Sequence, residues 1–200
     1  MKKLMILSAA FGLMSSVAGA ETINLPAPNV DNGATLYQAL KDRHSVRSYT
    51  SKPVEEQMLS NVLWAAYGAN RDDGRRTIPT ARNLKDLSVY VTKADGTFLY
   101  DGEANTLTKV SDKSLLDMFQ SQPYMANVPL VLIYTGSKDE HLFPVMHAGS
   151  AYQNVELYVA TTDLGCVVRA LFDHEAVAKA MNLPEDQQII VTQAIGYEEK

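Results

Sequence analysis

The sequence predicts a single domain that combines helices with antiparallel strands. Residues 87–92 and 97–100 alternate apolar and polar side chains on either side of an Asp-Gly turn signal, and residues 107–110 are expected to add a third strand. Residues 143–164 instead carry apolar side chains at helical spacing. No internal repeat, low-complexity tract or interdomain linker divides the sequence, so we expect one hydrophobic core.

The first twenty residues have the pattern of a secretory signal peptide. Lys2 and Lys3 give a positive start, a mostly apolar run follows, and the small residues 18–20 suit a cleavage site. An uncleaved anchor is the alternative, but the apolar run is short for a membrane span. We therefore expect a signal peptide over residues 1–20, an extended leader over 21–34 and the folded domain over 35–200. The mature protein is then periplasmic or secreted, without membrane insertion.

The charge balance limits the partners of the mature chain. Two of the 18 basic residues and none of the 23 acidic ones lie within residues 1–20, so the remaining 180 residues carry a net charge of −7. Such acidity argues against nucleic acid as a general partner and against a broad polybasic membrane surface. Cys166 is the only cysteine, which excludes an intramolecular disulfide and a cysteine-based zinc site. Its apolar neighbours indicate a buried thiol.

The first half of the chain contains two predicted helices and a loop. Residues 35–41 carry apolar side chains at helical spacing. A second helix begins after Pro53, with two acids in its first turn, and ends at Gly68. The polar residues 70–76 include a glycine and are expected to form a loop.

Further elements follow the predicted strands of the meander. A helix capped by Ser111 or Asp112 is expected to run through Phe119, and the continuous apolar run 128–134 predicts a central strand. The long helix is expected to stop at Gly165, because glycine commonly follows a helix end. Asp173 is expected to cap a helix through Met181, and residues 189–195 predict a final strand.

A basic segment, Arg43 to Tyr49, is the first candidate site. In an extended chain Arg43, Ser45 and Arg47 project to one side, while the residues at even positions project to the other. Two guanidinium groups and a hydroxyl would then converge on one oxyanion, and their geometry suits a phosphate. A solvated basic turn after a helix has the same spacing, so the residues alone leave both interpretations open.

Residues 77–83 form the second candidate site. They are mostly small and hydrogen-bonding, so their backbone can come close to a flat ligand, and Thr80 and Asn83 offer polar anchors. The alternative is that Thr80 serves only as a helix N-cap.

Three segments, in this order, resemble motifs of the FMN-dependent nitroreductase superfamily. Arg43 to Tyr49 resemble its Arg-x-Ser-x-Arg-x-aromatic phosphate motif, and a Lys-Pro-Val tripeptide and a helix follow as in the family. Residues 79–83 resemble its Pro-Ser-Ala-x-Asn segment, with Thr80 in place of serine. Residues 149–164, followed by Gly165, resemble the long dimer-interface helix that ends in a Leu-Gly pair. The resemblance covers nearly all of the mature chain.

The resemblance implies an α+β, nitroreductase-like fold with a central mixed sheet flanked by helices. It also implies a homodimer with two FMN sites at the subunit interface. Within the superfamily, residues 87–110 are similar to the branch that contains azoline-forming peptide dehydrogenases. That similarity lies in Phe98 to Asp101 and in Asn105 to Leu107.

The same resemblance assigns FMN contacts to three segments and to the last residue. The basic segment that begins at Arg43 would hold the phosphate and ribityl chain. Residues 79–83 would approach the flavin from the partner subunit, and residues 168–171 would offer backbone amides to the redox-active edge of the ring. The implied cofactor-binding residues are Arg43, His44, Ser45, Arg47, Pro79, Thr80, Ala81, Asn83, Val168, Arg169, Ala170 and Lys200.

Two of these residues carry separate expectations. Arg169 would stabilise the negative charge of the reduced flavin, or else lie at the surface. Lys200 would replace in part the basic C-terminal extension that the family usually carries. Glu198 and Glu199 oppose that role, because their charges repel a phosphate.

The resemblance implies an FMN-dependent oxidoreductase that transfers hydride or electrons through bound FMN to or from a small organic substrate. We assign no catalytic acid or base and no metal ligands, since no paired carboxylates or Ser-His-Asp order occurs in the sequence. The electron donor is open, because an exported enzyme would lack a supply of nicotinamide nucleotides. The alternative is an exported flavin-binding protein without turnover, acting as a carrier or sensor.

Overall fold

The structure, a computed structural model, describes residues 20–31, 33–139 and 142–199 of the chain. The expected signal peptide lies outside the described residues except for its last position, and Lys200 also lies outside them. None of the described helices is both long and apolar enough to cross a membrane.

Helices and strands follow one another as an α+β chain. The helices are α1 (Leu36–Asp42), α2 (Glu56–Tyr67), α3 (Leu142–Val159) and α4 (His174–Ala180). The strands are β1 (Thr22–Asn24), β2 (Leu87–Lys93), β3 (Gly96–Asp101), β4 (Thr106–Ser111), β5 (Leu130–Ser137), β6 (Leu164–Arg169) and β7 (Gln187–Tyr197).

The strands form one sheet in the order β1-β4-β3-β2-β5-β7-β6. The predicted α+β fold with a sheet flanked by helices is confirmed. The expected mixed pairing is not found, since all six pairs among the described strands are antiparallel. Strand β5 is central, as predicted, and β6 lies at an edge, where it pairs only with β7.

Both faces of the sheet are covered, which explains the unbroken apolar run of β5. Val131 and Ile133 face a layer that contains α4 and two single turns, whereas Leu132 and Tyr134 face α2 and α3. A strand buried on both faces needs apolar residues at every position. The core therefore lies on both sides of the sheet.

Local chemistry sets the ends of three helices, and the sequence predicted it for Asp173 and Gly68. The Thr35 hydroxyl accepts a hydrogen bond from the Gln38 N–H at 3.1 Å, and Asp173 Oδ1 accepts one from the Ala176 N–H at 3.0 Å. Helix α2 ends at Gly68, where a Cβ atom would lie 2.3 Å from the Trp64 ring. These local interactions explain why the boundaries were predictable from sequence.

The predicted helix from Ser111 to Phe119 is wrong in type. Strand β4 continues to Ser111, which pairs with Thr97 of β3, and only a single 3-10 turn forms over Leu116–Phe119. The Leu115 N–H donates to Thr92 Oγ1 at 2.8 Å, an interaction that holds the chain beside β2 instead of in a helix. The apolar spacing is kept, because Leu115 and Phe119 are both buried.

The predicted end of the long helix at Gly165 is also wrong. Helix α3 ends at Val159, and Leu164 and Gly165 begin the edge strand β6. Two threonines end the helix, since the Thr161 and Thr162 hydroxyls donate back to the Tyr158 and Val159 carbonyls at 2.7 and 2.9 Å. The Leu-Gly pair therefore serves strand packing.

The segment predicted as an extended leader is part of the domain. Strand β1 pairs with β4, and Leu25 is buried. The Ser60 hydroxyl of α2 donates to the Pro26 carbonyl at 2.6 Å, and the Asn29 N–H donates to Asn61 Oδ1 at 2.8 Å. The fold therefore begins well before residue 35.

We expect Gly165→Ala to destabilise the protein. A Cβ atom at this position would lie 2.6 Å from Val46 Cγ1 in a packed region, and overpacking of this kind costs about 1–3 kcal/mol of unfolding free energy. The control is Gly149→Ala within α3, where the nearest atom, Tyr152 Oη, is 3.8 Å away. That change should raise stability by about 0.5–1 kcal/mol through helix propensity. Urea unfolding measures both, and equal losses would contradict the packing argument.

Candidate functional site

The basic segment after α1 wraps around the edge of the sheet beside β6. Its Val46 N–H donates to the Cys166 carbonyl of β6 at 2.9 Å, and its Thr50 N–H donates to the Tyr197 carbonyl of β7 at 2.9 Å. Val46 and Tyr49 are buried, and the Tyr49 hydroxyl donates to the Val46 carbonyl at 2.6 Å. Backbone bonds and the buried side chains of Val46 and Tyr49 thus fix the segment. The two buried positions are three residues apart, so buried and exposed side chains do not strictly alternate along it.

Arg43 ties this segment to α3. Its Nη1 lies 3.0 Å from Glu156 Oε2, and the Glu156 side chain is only 8% exposed whereas that of Arg43 is 36% exposed. A buried carboxylate needs a charged or hydrogen-bonding partner, so this ion pair fixes the start of the segment. The sequence did not single out Glu156, although its place in the apolar pattern of α3 was a signal that it would be buried.

Ser45 and Arg47 are the exposed donors of the segment. Within the described part of the chain, neither side chain makes a hydrogen bond or ion pair. The terminal acids contact the intervening residues instead: Glu198 lies 3.7 Å from His44 Nε2, and Glu199 accepts from the Ser48 hydroxyl at 3.2 Å. Ser45 and Arg47 therefore have no contact with the two terminal carboxylates, which suits an anion site.

His44 fits the cofactor role less well than its neighbours. Its Nδ1–H donates to the Asp42 carbonyl at 2.8 Å, and its other ring nitrogen faces Glu198. The imidazole is thus held by residues on either side of the segment.

The outer edge of β6 presents backbone groups next to the basic segment. The Cys166 carbonyl points to that edge, because it accepts from Val46. Alternate residues of a strand direct their backbone groups to the same edge, so those of Val168 also face outward, while Arg169 pairs with Thr192 of β7. Val168 is half-buried and Ala170 is exposed. This edge can supply the amide donors that a flavin ring requires.

The side chain of Arg169 has a different place from both expectations. It is 5% exposed, so it is not a surface residue. Its Nη1 donates to the Phe119 carbonyl at 2.9 Å, Nη2 donates to the Ser121 hydroxyl at 3.1 Å and also to the Leu171 carbonyl, and Nε donates to Gln122 at 3.3 Å. Burial lowers the pKa of this guanidinium below its ordinary value. Its donors are used within the fold, so we give it no electrostatic role toward a flavin.

The second candidate segment forms a strained turn over Ala81–Asn83 that follows Thr80. Thr80 precedes the turn but its side chain makes no capping hydrogen bond, so the N-cap alternative does not account for the hydroxyl. Arg82, Asn83 and Lys85 have φ values of 51°, 55° and 50°. Left-handed backbone at an arginine and a lysine costs free energy and is often retained at binding sites.

A buried histidine of α3 holds this turn in place. The Ala81 N–H donates to His147 Nε2 at 2.8 Å, and Nδ1 lies 2.5 Å from Asp86 Oδ1. Because Nε2 accepts a hydrogen bond here, Nδ1 must carry the hydrogen that bonds the carboxylate. His147 is therefore a satisfied buried residue that positions Ala81. Asp86 was not identified from the sequence, because its partner lies 61 residues away.

The two candidate segments are not brought together within one chain. The basic segment is attached to α3 at Glu156 and the strained turn at His147, nine residues earlier in the helix. This spacing corresponds to roughly 14 Å along a helix axis.

Cys166 is confirmed as a buried thiol. Burial raises its pKa to about 12, and the negative charge of Glu156 acts in the same direction. The thiol is therefore protonated at neutral pH and is not a nucleophile.

Residues 40–197 match the family model described as the nitroreductase family. The chain belongs to the nitroreductase family. The match contains the basic segment, residues 77–83 and the end of β6 around Val168. The family consists of flavin-type oxidoreductases. A candidate nitroreductase of Methanocaldococcus jannaschii is 29% identical over 175 residues, which cover 78% of this chain and 88% of that protein.

Solved structures also resemble this nitroreductase-family chain. A candidate nitroreductase of Ralstonia eutropha JMP134 has a TM-score of 0.84 and 31% identity, and the match covers 90% of each chain. A chain of the Escherichia coli microcin synthetase McbBCD complex, which was solved with truncated pro-MccB17 bound, has a TM-score of 0.73. That match covers 99% of this chain and 85% of the other at 15% identity, so it shows a shared fold only.

We expect His147→Ala to destabilise the protein and to loosen the strained turn. The change leaves the Ala81 N–H and the Asp86 carboxylate without their imidazole partner, at a cost of about 2–3 kcal/mol. Ser150→Ala on the same helix is the control. Among the described residues Ser150 Oγ bonds only the Met146 carbonyl, and its loss should change stability by no more than about 0.5 kcal/mol.

Urea unfolding measures the stability of both variants, and amide hydrogen exchange reports on Ala81. Unchanged exchange at Ala81 in His147→Ala would show that the imidazole does not hold this turn.

Proposed function

We propose that the protein is an FMN-dependent oxidoreductase that passes hydride or electrons through bound FMN to or from a small organic substrate. The observation that carries the proposal is the juxtaposition of the exposed donors Ser45 and Arg47 with the unpaired edge of β6. The two exposed donors suit a phosphate, and the strand edge suits the hydrogen-bonding edge of a flavin ring. Membership of the nitroreductase family supports the class of chemistry.

In this proposal Arg43, Ser45 and Arg47 hold the FMN phosphate. Arg47 contributes a full charge with its forked donors, and Ser45 contributes a hydroxyl between the two arginines. Arg43 keeps its bond to Glu156 and offers the remaining part of its half-exposed guanidinium. The carboxylates of Glu198 and Glu199 are held on His44 and Ser48, which limits their repulsion of the phosphate. The contribution of Lys200 remains part of the proposal.

The backbone of Val168 and Ala170 would bond the flavin edge, and Pro79, Thr80, Ala81 and Asn83 would approach the ring from the partner subunit. Bound FMN supplies the two-electron chemistry. The protein's own groups bind, orient and shield the ring, and no side chain is assigned as acid or base. His147 accepts the Ala81 N–H and so holds the segment that would approach the ring in a fixed position.

A homodimer would complete the site. Leu36, Tyr37 and Leu40 of α1 are 63%, 85% and 50% exposed, and Val145 and Met146 of α3 are 51% and 57% exposed. Large apolar side chains grouped on neighbouring helices favour burial against another chain. The basic segment directly follows α1, so a second subunit on this surface would lie beside the phosphate site.

The compartment is also part of the proposal. The pattern of residues 1–20 supports export to the periplasm or medium after cleavage of a signal peptide. The electron donor would then be a reductant of that compartment.

The test is the flavin content and redox behaviour of the mature protein. We expect a yellow protein that releases FMN on denaturation and whose reduced flavin is reoxidised by a nitroaromatic compound or a quinone. A bound flavin that no donor reduces would indicate the alternative, an exported flavin-binding protein without turnover. A colourless protein that takes up no FMN would overturn both.

We expect Arg47→Ala to weaken FMN binding by about 2 kcal/mol without a change in stability, because its exposed side chain has a free charge to offer. Arg43→Ala should weaken binding by a similar amount and also lower the unfolding free energy by about 1–3 kcal/mol, because Glu156 loses its partner.

Lys41→Ala, an exposed cation in the last turn of α1, is the matched control and should bind FMN normally. Flavin fluorescence titration measures the affinity. Wild-type affinity in both arginine variants would rule out this phosphate site.

A further inference from the structure

A cavity of about 420 Å³ adjoins the strained turn on the side of the loop 70–76. Its wall includes three arginines of that loop, and Thr80 and Asn83 of the second candidate segment border the same space. The arginines are Arg71, Arg75 and Arg76. We propose that this cavity binds the anionic group of the substrate, a carboxylate, sulfonate or phosphate, so that the small organic substrate is an anion. The proposal rests on the proposed flavin chemistry for its biological meaning.

Two of the three guanidinium charges have no acidic partner in the described part of the chain. Arg75 Nε lies 3.3 Å from Asp73 Oδ2, so this charge is compensated within the loop. Arg71 instead donates to neutral acceptors, Asn70 Oδ1 at 3.1 Å and the Arg76 carbonyl at 3.3 Å. An exposed guanidinium held in position by neutral groups keeps its full charge for an anion.

Arg76 adds a second guanidinium without an ion pair among the described residues, in a less solvated position. Its guanidinium lies 5.0 Å from the centre of the Tyr67 ring, and its Nε and Nη1 atoms are enclosed without a hydrogen-bond partner among the described residues. Enclosure of a guanidinium that pairs with no described carboxylate is unfavourable, and the charge of an anion bound at the cavity wall would offset part of that cost.

The acids near the loop do not line the cavity. Glu103 faces the loop, since its carboxylate would lie 3.2 Å from a Cβ atom on Gly74, but it is 3.7 Å from Lys85 Nζ and pairs with it. Asp86 on the inner side bonds His147. The residues that line the cavity thus include three arginines and no acid, although Asp72 and Asp73 lie in the same loop and the chain as a whole is acidic.

The loop does not need its arginine side chains to keep its shape. The Asn70 N–H donates to the Arg75 carbonyl at 3.0 Å, the Gly74 N–H donates to the Arg71 carbonyl at 3.0 Å, and Ala69 pairs with Arg76 in an antiparallel bridge. These are backbone interactions that do not depend on the arginine side chains. Three arginines on a loop fixed by its backbone favour a ligand role over a structural one.

The position of the cavity suits a site for the substrate and not for the cofactor phosphate. The phosphate donors follow α1 and are anchored at Glu156, whereas the cavity adjoins the turn anchored at His147. In the proposed dimer that turn approaches the flavin ring of the partner subunit. An anion held by Arg71 and Arg76 would thus place an attached ring beside the flavin, and the volume admits a small aromatic acid.

The first test measures anion binding without flavin turnover. The purified protein is titrated with benzenesulfonate and with its neutral analogue benzenesulfonamide, by calorimetry and by the fluorescence of Trp64. Trp64 is the only tryptophan, and its indole N–H donates to the Ala69 carbonyl at 3.0 Å, directly before the loop. We expect the sulfonate to bind more tightly than the sulfonamide.

Arg71→Gln and Arg76→Gln should each weaken sulfonate binding by about tenfold or more, the loss expected for one charge-assisted pair. Lys179→Gln is the matched control, because it removes one exposed cation from α4 on the opposite face of the sheet. Arg71 is exposed, so its variant keeps the test valid if Arg76→Gln fails to fold. Equal binding of sulfonate and sulfonamide, or unchanged binding in Arg71→Gln, would overturn the proposal.

The second test uses the flavin-loaded protein after chemical reduction. Two electrons and two protons pass from the reduced flavin to a naphthoquinone, which yields the hydroquinone and oxidised flavin. Arg71→Gln should raise the KM for naphthoquinone sulfonate about tenfold and leave the KM for unsubstituted naphthoquinone unchanged. Equal effects on both quinones would contradict an anion site.

The two tests separate the two proposals. Reoxidation by both quinones without a preference for the sulfonate would leave the flavin function standing and remove the anion site. Sulfonate binding that depends on the arginines, in a protein that takes up no FMN, would leave the anion site standing and remove the flavin function.

Discussion

Helix α3 is packed on the sheet with two polar side chains in its buried face, and each of them must find a partner inside the protein. Glu156 takes Arg43, and His147 takes Asp86 and the backbone of Ala81. Both candidate cofactor segments are therefore fixed to one helix through buried polar contacts. A change in the packing of α3 would move the basic segment at Arg43 and the strained turn at Ala81 together.

The edge strand β6 explains how the first segment becomes a site. An edge strand leaves backbone groups unpaired, and such groups bind other chains unless they are covered. Here the segment after α1 covers the start of the edge through the Val46 N–H, and the part near Val168 remains for a ligand. The same chain region thus protects the sheet and gathers the cations. Arg169 secures this end of β6 from the interior through four donor contacts.

The identity of the candidate site was predictable from sequence to the extent that it consists of contiguous motifs. Arg43, Ser45 and Arg47 lie within five residues, and the segment around Thr80 is equally local. The contacts of Glu156 and Asp86 were not predictable, because their partners are 113 and 61 residues away. The cavity of Arg71 and Arg76 is a further case: the sequence showed a charged loop, and only its position beside Thr80 gave that charge a place in a site.

The sequence by itself determined most elements of this protein, because helix caps, turn residues and apolar periodicity act over a few positions. It determined the meander, the central strand β5, the helix α1 and the capped helix α4 in this way. The tertiary structure alone decided that Leu164 and Gly165 begin an edge strand and that every described pair is antiparallel. It also decided that Arg169 is buried. Each of these outcomes depends on which distant segment removes a group from water, and that choice is made only when the whole core packs.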